Sequence, residues 1–282
     1  MALGQPLVHV AFDATAVCGA RPTRGLRGRR LASFARALLA EGALVPSPQE
    51  RNLIRPDEVR EALLHVARAL DAARERIAFL LPDGLARVVL LDAPANVAPE
   101  EYARYRLTPG LPFPARDAVV QVETAGPGRL LVAVAARPVI AEYEEAVRAA
   151  GLAQERMDLA PLAGLHALGR GGSRTAADVD LVLGDAAYSL AVHASGAPRV
   201  WRSRRRDRGD GEARRLAREV ERALRLAGLE EKPRVRVVGP GAAGLVRELT
   251  AAGRAAELGW AIEGGGLSVD ASEVPWLGSL FA

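Results

Sequence analysis

The spacing of apolar and polar positions divides the chain into short strands and amphipathic helices. Pro6 to Asp13 (PLVHVAFD) is an apolar run ending on an acid, and Ala14 to Ala20 (ATAVCGA) follows as the return strand of a hairpin. Arg29 to Gly42 (RRLASFARALLAEG) fits two readings: its apolar spacing suits a helix, and its place after a hairpin suits a third strand. Arg55 to Ala73 predicts a helix, with Pro56 in the first turn, acids at Asp57, Glu58 and Glu61, and Val59, Leu63, Val66 and Leu70 on one face. Ile77 to Pro94 gives two apolar runs, expected to pair as strands across a turn at Pro82, Asp83 and Gly84.

Further on, Pro99 to Pro114 reads as a short helix ended by a proline-rich loop, and Ala118 to Ala136 as a hairpin with Gly126 to Gly128 at its tip. Pro138 opens a helix that Gly151 stops. Ala167 to Asp178 (ALGRGGSRTAAD) is the expected linker, because glycine and small polar residues interrupt an apolar chain there. Beyond it the order of elements repeats. Asp178 to Asp185, Ala186 to Ser195 and Ala197 to Arg206 predict three strands, and Glu212 to Ala227 predicts a helix with Asp210 as its cap and Gly228 as its stop. A strand at Arg234 to Val238 and a helix at Ala242 to Ala252 complete the set. Three strands, helix, strand, helix occurs in both halves, so the fold class is α/β, with two related lobes built on mixed sheets.

Composition narrows the function classes. With 282 residues and 49% hydrophobic content the chain can bury a large core. Cys18 is its one cysteine, which excludes an internal disulfide and thiolate metal clusters. No apolar stretch approaches the roughly 20 residues that span a bilayer, and Met1 to Val10 lacks the pattern of a secretory signal, so a cytoplasmic location is expected. The formal charge of +4 conceals arginine clusters at Arg21 to Arg30 and Arg199 to Arg208. Arg202, Arg204, Arg205 and Arg206 suit an anionic membrane surface or an acidic partner, or else a solvated strand edge that resists aggregation. Aromatic residues make up 4% of the chain and Trp201 stands nearly alone in the basic stretch, which leaves no stacking platform for nucleic acid. His9, His65, His166 and His193 lack metal-ligand spacing, and no Gly-x-Ser-x-Gly or Walker-type loop is present.

Several stretches carry a resemblance. Ala43 to Leu63, Ile77 to Leu91, Glu100 to Glu123, Leu130 to Leu152 and Glu155 to Leu168 resemble, in order and spacing, the PilM-like proteins of type IV pilus assembly, which share the actin-like (ribonuclease H-like) ATPase fold with the cell-division protein FtsA. The resemblance implies a first lobe over residues 1–168 with an inserted hairpin-rich subdomain at about 77–136, and a shortened second lobe over 177–282. It implies three nucleotide motifs. At the first phosphate motif Asp13 is present, but Thr15 stands where the family has a glycine, and a side chain there obstructs close phosphate approach. At the second, Gly184 matches, Val182 replaces the acid, and Asp185 follows, a substitute carboxylate if the register shifts. At the adenosine motif Gly239, Gly241 and Ala242 match, while Pro240 removes a backbone donor.

Between the second strand trio and the adenosine loop there is room for one helix, whereas nucleotide-binding relatives carry a further subdomain walling the cleft. The resemblance thus implies a vestigial nucleotide cleft and no cofactor, with ATP and magnesium disfavoured. The implied role is a non-catalytic adaptor, peripheral to the inner membrane, that binds the cytoplasmic segment of a PilN-like membrane protein. The alternative is an actin-like ATPase or nucleotide-regulated switch using the same cleft.

Overall fold

The computed structural model describes residues 8–25, 28–94, 96–171, 178–209, 211–229, 233–259, 274 and 276–277. In chain order the elements are β1 (Val8–Phe12), β2 (Ala16–Gly25), β3 (Gly28–Leu38), α1 (Pro56–Ala69), β4 (Arg76–Leu81), β5 (Ala86–Asp92) and α2 (Pro99–Leu107). They continue with β6 (Ala118–Thr124), β7 (Arg129–Ala136), α3 (Arg137–Ala149), β8 (Ala153–Leu159) and α4 (Ala160–Gly171). The remainder is β9 (Asp178–Leu183), β10 (Ala187–Ala194), β11 (Ala197–Arg205), α5 (Glu212–Leu226), β12 (Arg234–Val238), α6 (Ala242–Ala251) and β13 (Ala256–Leu258).

Two five-stranded sheets share one topology. Their orders are β3-β2-β1-β4-β8 and β11-β10-β9-β12-β13, and in each the first three strands are antiparallel and the last two parallel to the central one. The repeat extends to single hydrogen bonds. The Asp13 amide donates to the Ala16 carbonyl at 2.9 Å and the Gly184 amide to the Ala187 carbonyl at 2.8 Å; Leu39 then donates to Thr15 as Arg206 does to Ala186. Asp13 therefore corresponds to Gly184, and Thr15 to Ala186.

Packing follows the alternation of side chains along each strand. In the first sheet Val10 and Phe12 of β1 and Ile77 and Phe79 of β4 face α1 and α3, whose Leu63, Val66 and Tyr143 close that core. In the second, Leu181 and Leu183 of β9 and Val235 and Val237 of β12 meet Leu216 and Val220 of α5 and Leu245 and Leu249 of α6. The smaller sheet, β5-β7-β6, carries α2 on one face with Ala103 and Leu107 inside.

The structure decides one open reading and corrects others. Of the two readings of Arg29 to Gly42 the strand holds, through Leu38: Leu31, Ala35 and Leu39 are buried, and spacing of four is even, so it serves one strand face as well as a helix. β4 and β5 do not pair with each other; β4 joins the first sheet and β5 the small one, so the Asp83–Gly84 turn carries the chain between sheets. β8 and β13 were not expected. Both are edge strands, one polar (AQERMDL) and one three residues long, so neither shows an apolar alternation. The first part of the expected linker, up to Gly171, is helical in α4, and 172–177 lie outside the described residues, as does Asp210, the expected cap of α5. Gly211 occupies the cap position of that helix, with φ of 79°.

Candidate functional site

The matching turns after β1 and β9 meet across a cleft of about 780 Å³, lined by Asp13, Thr15, Val182, Gly184, Asp185 and Pro240 among others. Strand ends deliver these residues, because the duplicated sheets present the same end to the gap between them. The Thr15 hydroxyl donates to Asp185 Oδ2 at 2.6 Å, the Ala14 amide donates to Asp13 Oδ1 at 2.6 Å, and Arg208 pairs with Asp185 from the loop after β11.

Asp13 and Asp185 line the same cleft closely enough for the charge of one to disfavour the charge of the other. Burial and the neighbouring Asp185 charge push Asp13 up to about 7. Burial alone would raise Asp185 too, but the Thr15 hydroxyl and Arg208 outweigh it and hold that carboxyl below the ordinary range. Below about pH 7 the site therefore carries a proton on Asp13 and its charge on Asp185, opposite Arg208.

The structural repeat changes one assignment. Val182 lines the cleft but lies inside β9, with Ala11 as its counterpart in β1; the counterpart of Asp13 is Gly184. The carboxylate on the second turn is Asp185, one residue on. Sequence spacing placed Val182 at the acid's position because the glycine was aligned rather than the turn.

Gly239, Gly241 and Ala242 form the strand-to-helix turn between β12 and α6 beside the cleft, and Pro240 alone of this turn is among the lining residues. Gly239 has φ of +107°, and a Cβ there would lie 1.9 Å from the Leu183 carbonyl oxygen. Close packing of two backbones demands that glycine. Gly241 caps α6 with φ of 83°, and Ala242 is buried in the core beneath.

The basic stretch is less available than its sequence suggests. Arg206 is buried, bonded to the Gly184 carbonyl and Glu212, so it is withdrawn from any surface; Arg202 and Arg204 share Glu219, and Arg205 is exposed. Cys18 is half-buried on the cleft wall, its thiol pushed up to about 12 by burial.

Two polar groups escaped the sequence reading. Asp83, in the β4–β5 turn, accepts from Ser189 and Ser203 of the second lobe at 3.1 and 3.0 Å, and burial raises its pKa against those bonds. Asp180 takes a bidentate pair from Arg236 at 2.7 and 3.0 Å inside the second lobe, with burial raising its pKa to about 6 against that cation. The signal for the second was legible: DVD and RVR place charges on alternate positions of otherwise apolar strands.

No protein-family profile matches this chain, and no curated protein does. Solved structures match it well. A structure described as the PilM-PilN type IV pilus biogenesis complex superposes with a TM-score of 0.77 at 18% identity, covering 98% of this chain and 96% of that one. The fold is actin-like. The actin-like arrangement is shared with the cytoplasmic domain of EpsL, described as an inner-membrane component of the Vibrio cholerae type II secretion system (TM-score 0.57, 12% identity, 98% and 95% covered). A Bacteroides thetaiotaomicron protein described as having an actin-like ATPase fold and unknown function matches with TM-score 0.55 at 10% identity, 88% of each chain covered. The resemblance to PilM read from the sequence thus meets a matching actin-like structure over nearly the whole chain.

Proposed function

We propose that this protein is a non-catalytic adaptor of an inner-membrane pilus or secretion platform, engaging a PilN-like membrane protein through its first lobe. Near full-length similarity to the PilM-PilN structure supports the partner class. The observation that carries the non-catalytic part is the Asp13–Asp185 pair. Where a phosphate-binding turn would offer backbone amides to an anion, the two turns place Asp13 and Asp185 in the cleft, and a triphosphate would have to face their charge. Among the described residues no helix is long and apolar enough to cross a membrane, which fits a chain held at the bilayer by a partner.

Calorimetric titration with Mg·ATP tests the cleft: no binding tighter than about 100 µM is expected. Tighter binding that Asp13→Ala abolishes would overturn the adaptor reading. Fluorescence polarisation with a labelled peptide from the cytoplasmic segment of the PilN-like protein tests the partner, with saturable binding expected. The second reading, a nucleotide-regulated switch, draws on the cleft itself, since 780 Å³ lies within the size of small-molecule sites.

A further inference from the structure

The acids and the arginines of α5 are directed to different places. Glu212 is taken by the buried Arg206, Glu219 by Arg202 and Arg204 of β11, and Glu221 by Arg254 beyond α6, so each acid of the helix is answered from another element. Other helices differ. α1 pairs Arg60 with Asp57, α2 pairs Arg104 with Glu100 and α3 pairs Arg148 with Glu145, each within the helix itself.

What remains on α5 is a cationic stripe. Arg214, Arg218 and Arg222 recur every fourth residue, about 6 Å apart along the axis, and Arg225 returns to the same side. At about 100° per residue the four fall within about 80° of arc, opposite Leu216, Val220 and Leu224, which are buried in the second core. All four are exposed, and among the described residues none holds an acid. Leu226, 63% exposed, adds an apolar side chain at the C-terminal end of the stripe. Like charges four residues apart repel, and Arg214 sits in the first turn, where the helix dipole disfavours a cation, so the stripe weakens the helix that carries it. Nothing inside the molecule offsets that cost.

We propose that this face of α5 docks on an anionic phospholipid surface. A convex row of cations fits a plane and offers no groove for an extended chain, and Leu226 enters the interface once the arginines have drawn headgroups close. The surface differs from the one the sequence suggested: Arg202, Arg204 and Arg206 are spent on the acids of α5, and that is what leaves the stripe uncompensated. The choice of lipid rests on the platform reading above, which sets the chain beside a bilayer.

Flotation of the full chain with vesicles tests the face. Phosphatidylcholine vesicles holding about 30% phosphatidylglycerol should carry the protein upward at about 0.1 M salt, and pure phosphatidylcholine, or about 0.5 M salt, should not. Arg214→Gln, Arg218→Gln and Arg222→Gln together should lower partitioning about tenfold or more, while Lys at the same positions keeps it within about threefold. Because repulsion is relieved, the Gln variant should melt no lower than wild type. Arg51→Gln, Arg68→Gln and Arg74→Gln remove equal charge from exposed positions of the first lobe and should change partitioning about twofold or less. The proposal falls if the α5 variant floats like wild type or if the first-lobe variant loses as much. It falls also if a duplex oligonucleotide or polyglutamate of equal charge binds as tightly as the vesicles. Peptide binding without flotation keeps the adaptor reading and discards this face; flotation without peptide binding keeps the face and discards the partner.

Discussion

Among the described residues, Gly239 is the one whose identity the backbone dictates most sharply. An added methyl would meet the Leu183 carbonyl at 1.9 Å in a conformation that L residues rarely adopt, so Gly239→Ala should cost about 2 kcal/mol or more, measured by urea unfolding. Asn52 offers a comparable case in hydrogen bonding. Fully buried, it donates to the Ser47 and Glu50 carbonyls and accepts from the Ser47 amide and the Tyr143 hydroxyl. Asn52→Leu strands four partners and is expected to lower stability by about 2–4 kcal/mol, read from the same unfolding curves. Asp13 adds a pH dependence. Its folded pKa of about 7 exceeds the unfolded 3.8, so the stability it contributes is complete below 3.8 and is lost as pH rises through 7. Asp13→Asn, a neutral mimic of the protonated acid, should flatten the melting-temperature profile between about pH 4 and 7. It should also stabilise the protein at pH 8 by about 1 kcal/mol. An unchanged slope would show that Asp180, raised in the same direction, dominates instead.

At the scale of elements, the long β2–β3 hairpin is tied to α1 by one side chain. Arg21 bonds the Leu70 and Asp71 carbonyls at the end of α1 and pairs with Glu75 at 2.8 Å, satisfying acceptors the helix leaves open. Arg21→Ala should speed amide exchange in the last turn of α1, with a loss of about 1–2 kcal/mol, and hydrogen-exchange mass spectrometry resolves it. What the sequence disclosed at this scale followed periodicity. α1, α3 and α5 announce themselves by apolar faces, and the β6–β7 hairpin by its glycine tip. The β4–β5 turn misled because Pro82-Asp83-Gly84 specifies a reversal of direction and says nothing of which sheet receives the next strand. That choice is made by remote partners: β1 and β8 for one run, β7 for the other. The candidate site was legible as a set of turns, and Asp13, Thr15, Gly184 and Asp185 line one cleft. Arg208, Asp83 and Trp276 were not, since each reaches its place through tertiary packing that no local spacing encodes.

Over the whole molecule, duplication supplies the frame and the small sheet sets a boundary on it. β11 would be the bare margin of the second sheet, but it packs against β5, and Arg129 of β7 bonds the carbonyls of Pro198 and Arg199 at 3.1 and 3.4 Å. The hairpin unit accordingly acts as a fender on a strand that could otherwise recruit a neighbour. Shaving it away, by joining Leu85 to Arg137, should leave molecules that stick to one another side by side, visible as concentration-dependent sedimentation.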